Sequence, residues 1–86
     1  MEPMNINGVK VDLPKFLDAF ANCPPDQKTM EADVQLNIRY GRYVEALADL
    51  DTLSKNSSLT PAQTKITTTL LDQIKQVIAK SPTPPQ

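Results

Sequence analysis

The side chains that could carry chemistry in this chain of 86 residues are few and widely spaced. Histidine, the commonest general base and metal ligand, is absent, and Cys23 is the single cysteine. Asp49 and Asp51 are close in sequence but point to different sides of a helix, so a solvated helix face is favoured over a paired acid–base site. The sequence contains no HExxH motif, glycine-rich phosphate loop or EF-hand loop. We therefore expect no enzyme activity, no cofactor and no metal site.

Three other side chains each have two interpretations. Cys23 could form a dimer or act in redox chemistry, but no histidine or second cysteine would activate or resolve its thiolate, which favours an incidental or structural cysteine. Phe16 and Phe20 could anchor a partner, although their spacing on an amphipathic helix favours a place in the core.

Arginine and tyrosine meet in one cluster, and this cluster is the candidate partner-binding site. It comprises Arg39, Tyr40, Arg42 and Tyr43 around a predicted tight turn. Arginine and tyrosine are enriched at the energetic centres of protein interfaces. The alternative is a cation favoured by a helix C-terminus together with a solvated arginine.

Composition excludes several classes of partner. Nine basic and ten acidic residues give a net charge of -1, so no basic excess is present to neutralise nucleic-acid phosphates. The charges are interspersed, and no apolar stretch approaches the roughly 18–20 residues of a membrane helix. We expect no nucleic-acid binding, no membrane insertion and a cytoplasmic location, or an exported one after removal of a signal peptide.

The elements that must position these residues begin with residues 1–11, an N-terminal arm or short β-hairpin. Asn7-Gly8 is the preferred two-residue hairpin turn, and the flanking apolar residues alternate. Residues 12–80 form the predicted helical domain, and the Pro-rich residues 81–86 are predicted to be a disordered tail.

Four helices are predicted within residues 12–80. The first starts at Asp12 and ends near Ala21 or Asn22, because two prolines follow. The second begins near Pro25 or Asp26 and ends before Gly41, which we expect in a left-handed conformation. The second helix carries two apolar stripes, which predict packing on more than one side: Met30, Val34 and Ile38, and Ala32, Leu36 and Tyr40.

The third helix follows Gly41 at once, so the second and third helices should form an antiparallel pair. The fourth starts at Thr60, where a cap, a proline and Gln63 form a capping-box pattern, and runs to about Ala79 or Lys80. The fold class is therefore all-α, a small bundle of four helices with a short N-terminal hairpin as an option.

The segment from Tyr40 to Leu50 resembles the middle of a tetratricopeptide repeat (TPR). In that family a glycine turn joins two antiparallel helices, and the matching positions here are Gly41, Tyr43, Glu45, Ala46 and Leu50. The resemblance covers a single divergent repeat from about Gln27 to Thr60. It implies a TPR-like helix pair, a last helix that caps it, and a scaffold for protein binding.

The leading functional hypothesis is a non-enzymatic interaction module that binds a peptide or helix of a protein partner, or a second copy of itself as a homodimer. The double stripe of the second helix motivates the homodimer, because three other short helices could leave one of its two apolar faces uncovered. Two alternatives remain: a structural cap of a larger helical array, and a small chaperone-like regulatory protein that shields a partner helix.

Overall fold

The computed structural model describes residues 4–80. It contains two strands and four helices in the order β1 (Met4–Ile6), β2 (Val9–Val11), α1 (Leu13–Ala19), α2 (Pro25–Arg39), α3 (Tyr43–Ser54) and α4 (Pro61–Ala79). The all-α prediction of four helices with a short hairpin is confirmed. The predicted tail, residues 81–86, lies outside the described residues.

The hairpin forms as its turn chemistry predicts. Asn7 and Gly8 both have positive φ, 52° and 81°, and Ile6 pairs with Val9 in an antiparallel register. Val9 and Val11 are buried, and β2 packs against α4. A two-stranded hairpin is marginal in water, so this contact with α4 supplies the burial that it needs.

Helix α1 has only seven residues and is held at both ends by glutamines of α4. Asp12 precedes the helix as predicted, but its side chain does not cap it. Instead, Asp12 exchanges two hydrogen bonds with Gln73: the Asp12 N–H donates to Oε1 at 2.8 Å, and Gln73 Nε2 donates to Oδ2 at 3.1 Å. At the other end, Gln63 Nε2 donates to the carbonyl of Ala19 at 3.0 Å. These bonds make α1 antiparallel to α4.

Helices α2 and α3 form an antiparallel pair around Gly41. Gly41 has a φ of 73°, the left-handed conformation predicted for it, and the Arg42 N–H closes the helix end on the carbonyl of Asn37 at 2.7 Å. A side-chain bond ties the pair together, since Asn37 Nδ2 donates to Asp49 Oδ2 at 2.8 Å.

Helix α4 starts with the predicted capping box. The Gln63 N–H donates to Thr60 Oγ1 at 3.1 Å, and the Thr60 N–H donates to Gln63 Oε1 at 2.9 Å. Pro61 occupies the first helical position, where its missing N–H is not needed.

The core is largely aliphatic, and residues of β2 and of all four helices line it. Phe16 and Phe20 lie inside it with ring centroids 4.8 Å apart, so both belong to the core rather than to a partner-binding surface. The other buried apolar residues are Val9, Val11, Leu13, Val34, Ile38, Ala46, Leu50, Leu53, Leu70, Ile74 and Val77.

The prediction that α2 packs on more than one side is wrong within residues 4–80. Val34 and Ile38 are buried, whereas Leu36 is 48% exposed and Tyr40 is 73% exposed. The reason is the position of α2 at the edge of the bundle. It packs closely on α3, while α3 packs on α4, and α4 packs on α1 and β2.

Candidate interaction surface

The large apolar side chains that remain exposed lie together in sequence around the α2–α3 turn. Within residues 4–80 they are Leu36, Tyr40 and Val44, the last 42% exposed. Leu36 and Tyr40 are one helical turn apart on the same face of α2. Single exposed apolar residues are ordinary, but their concentration at one end of a helix pair is informative. We call Leu36, Arg39, Tyr40, Arg42 and Val44 the turn surface.

Both predicted arginines are exposed on the turn surface. Arg39 ends α2, where a cation is favoured by the helix dipole, and Arg42 immediately precedes α3. Within residues 4–80 the ion pairs are Lys28–Glu31 and Lys55–Asp51, so neither guanidinium is paired with an acid there. Each arginine therefore offers its N–H donors to solvent or to a partner.

The fourth predicted site residue faces inward. Tyr43 is half-buried and packs against the core cluster, unlike Tyr40 on the other side of the turn. The structure therefore brings Arg39, Tyr40 and Arg42 to the surface and leaves Tyr43 mainly supporting the turn. Leu36 and Val44 also belong to the surface, although neither is among the predicted site residues. Leu36 lies on the second apolar stripe of α2, which the other helices leave partly uncovered.

An acidic group lies beside the turn surface, where α2 meets α3. Asp49 is half-buried there and accepts the bond from Asn37 described above. Partial burial is the main cause that raises the pKa of Asp49 above its ordinary value; the carboxylates of Asp33 and Glu45 raise it further, and the Asn37 bond opposes the change. Asp49 therefore departs from the predicted solvated face, whereas Asp51 is exposed and pairs with Lys55 at 3.2 Å.

A shallow groove of about 340 Å³ runs between the outer faces of α3 and α4. Its apolar lining begins with Val44 of the turn surface, and Asp51 and Lys75 supply one charge of each sign. The full lining is Val44, Leu47, Ala48, Asp51, Leu71 and Lys75.

The remaining chemistry-bearing groups are dispersed. Cys23 is a free, half-buried cysteine packed against the core. Among residues 4–80 no group of three or more metal-ligating side chains comes together. No helix in the same part of the chain has the length and apolar character to cross a membrane.

Two buried polar atoms have no hydrogen-bond partner within residues 4–80, and the sequence pattern did not indicate them. They are Oε1 of Gln27 on α2 and Oγ1 of Thr67 on α4, in side chains that are 2% and 0% exposed. Both occupy the buried stripe of their helix, where an apolar residue would be ordinary.

A scan against models of known protein families, a search of curated proteins and a search of solved structures returned no match to this chain. The fold class is therefore defined by the structure alone: a small all-α bundle with an N-terminal hairpin. The relation to tetratricopeptide repeats stays a prediction.

Proposed function

We propose that this chain is a non-enzymatic protein-interaction module that binds its partner through the turn surface. The observation that carries the proposal is the exposure of Tyr40 and Leu36 beside two arginines that form no ion pair within residues 4–80.

A partner bound to the turn surface would cover its exposed apolar side chains and its arginines. Burying an exposed apolar side chain is favourable by about 25 cal/mol per Å². Tyrosine adds a large rigid ring with little entropy to lose, and arginine adds directional bonds to carboxylates or carbonyl groups. The TPR-like pattern supports the same proposal by analogy, because helix pairs of that family are scaffolds for protein binding.

The test is affinity capture with the purified chain as bait, in cell extract and at matched bait density. The variant Leu36→Ser/Tyr40→Ser removes the apolar part of the turn surface. The variant Arg39→Ala/Arg42→Ala removes its charge, and Lys10→Ala/Lys15→Ala removes two exposed positive charges from β2 and α1 as the matched control.

We expect a retained protein to be lost with both turn-surface variants and kept with the Lys10/Lys15 control, while circular dichroism shows that all baits are folded. Retention that is indifferent to both turn-surface variants would contradict the proposal. So would the absence of any retained protein, if the chain also stays monomeric.

A second candidate function rests on the groove between α3 and α4. Its apolar lining, with one charge of each sign at its edge, favours a partner's amphipathic helix, which would make the chain a small chaperone-like protein that shields such a helix. Leu71→Glu, at the wall of the groove, should then abolish the rescue of an aggregation-prone helical partner on co-expression, whereas Leu36→Ser/Tyr40→Ser should preserve it.

A further inference from the structure

The exposed face of α2 carries its own complement. Leu36 lies at the middle of this face; Asp33 lies three residues before it and Arg39 three residues after it, and all three are exposed. Tyr40 extends the face by one residue beyond Arg39. When a second copy of the helix runs in the opposite direction, the acid of each copy faces the base of the other, and the apolar residues face each other.

An antiparallel pair of α2 helices has a definite register. If a second α2 lies antiparallel with Leu36 against Leu36, residue 33 of one copy is level with residue 39 of the other. Asp33 of each copy is then level with Arg39 of the other copy, so the two helices form this contact twice. In the same register Tyr40 is level with Ala32, a small side chain that leaves room for the tyrosine ring. This is the two-fold, isologous arrangement that most homodimers adopt.

The charges on this face are uncompensated within each copy. Neither Asp33 nor Arg39 forms an ion pair among the residues described. Asp33 also lies close enough to Asp49 to raise its pKa, so the carboxylates at the α2–α3 junction repel one another. A guanidinium from a second copy would relieve that repulsion, since an opposite charge favours the ionised acids.

We propose that the partner of the turn surface is a second copy of this chain, docked antiparallel through α2 with Leu36 at the two-fold axis. This inference rests on the proposed function and names its partner.

The contact is limited in size. Helix α2 has 15 residues, so it is about 22 Å long, and only one face of it is available. Such an interface falls at or below the lower limit of about 1,200 Å² for standard complexes. We therefore expect a weak, reversible dimer with a Kd of about 10–100 µM.

The first experiment is sedimentation equilibrium across about 5–500 µM of the full chain, a range set by that Kd. Asp33→Arg and Arg39→Asp each place like charges level with one another, and each should weaken the dimer about tenfold. The double variant Asp33→Arg/Arg39→Asp restores opposite charges and should recover dimerisation, as should an equimolar mixture of the two single variants. Asp18→Arg makes the same change of charge at an exposed residue of α1 and should leave the dimer unchanged.

The second experiment locates the axis by disulfide trapping in the Cys23→Ala background. Leu36→Cys should form a covalent dimer with oxidised glutathione at a protein concentration near the Kd, because residue 36 meets its own copy at the axis. Lys65→Cys, exposed on α4, is the control and should remain largely monomeric.

The outcomes separate this inference from the proposed function. A monomer at every concentration overturns the dimer, while loss of a captured protein with Leu36→Ser/Tyr40→Ser would still support the interaction module with a different partner. A dimer that survives both single charge reversals, or a double variant that fails to recover, overturns the α2 register. Equal trapping through residues 36 and 65 overturns it as well.

Discussion

The side chain of Gln63 in α4 connects this helix to its N-cap residue and to the end of α1. Replacing Gln63 tests whether these two hydrogen bonds stabilise the protein. Its Oε1 accepts the Thr60 N–H at 2.9 Å, and its Nε2 donates to the Ala19 carbonyl at 3.0 Å across 44 residues of sequence. The Gln63→Met variant keeps the length of the side chain and removes both hydrogen bonds.

The expected loss can be worked from the two bonds. Loss of half the capping box costs about 0.5 kcal/mol, because Thr60 is an exposed residue whose N–H can bond to water instead. Loss of the bond to the partly buried Ala19 carbonyl costs about 1–1.5 kcal/mol. The free energy of unfolding should fall by about 2 kcal/mol, out of a total of about 4–13 kcal/mol for a domain of this size. The Tm should fall by about 10 °C.

The assay is urea unfolding followed by circular dichroism, with Gln76→Met as the matched control. Gln76 lies on the same helix and is exposed, and its side chain donates to Asp72 one turn away at 3.3 Å. Such a local bond is worth about 0.3 kcal/mol. If Gln63→Met loses no more stability than Gln76→Met, the bond from Gln63 to the Ala19 carbonyl does not stabilise the fold, and α1 is held in place by other contacts.

Three further predictions use local features of the fold. Thr60→Ala removes the acceptor of the Gln63 N–H and should cost about 1 kcal/mol of unfolding free energy, measured by thermal melting; an unchanged Tm would contradict the capping role. Gly41→Ala should cost about 1 kcal/mol in urea unfolding from backbone strain alone, because a Cβ there would meet no atom within 4 Å; Gly41→Asn should cost less, since asparagine tolerates positive φ. Because the pKa of Asp49 is raised in the folded chain above its ordinary value of 3.8, the native chain should lose stability as pH rises through the raised pKa, and the stability of Asp49→Asn relative to the native chain should rise over the same range; a difference independent of pH in urea unfolding would contradict this.

Local signals in the sequence were sufficient for the elements and for most of their ends. The turn at Asn7-Gly8, the left-handed Gly41 and the capping box at Thr60 each depend on a few neighbouring residues, and each is confirmed. The predicted end of α1 was a few residues too late, since the helix ends at Ala19. Whether the last turn of a helix forms before two prolines depends on small differences in free energy, and the spacing of apolar residues does not reveal them.

Contacts between distant residues could not be predicted in the same way. Asp12 is predicted to be a cap because that is its usual local role, yet its side chain and its N–H bond to Gln73, 61 residues away, and only its carbonyl takes part in the start of α1. Periodicity identified Leu36 and Tyr40 as an apolar stripe but contains no information on whether another element covers it. The candidate surface therefore depends on the place of α2 at the edge of the bundle, which is a property of the packing.

The central place of α4 has a consequence for synthesis of the protein. α1 and β2 both pack mainly on α4, the last of the described helices, so the larger part of the surface that they fold against is missing until the ribosome has released it. Elongation at about 5–20 residues per second separates Phe20 from Ala79 by about 3–12 s. The α2–α3 hairpin can form during that interval, while Phe16 and Phe20 stay exposed and open to chaperones.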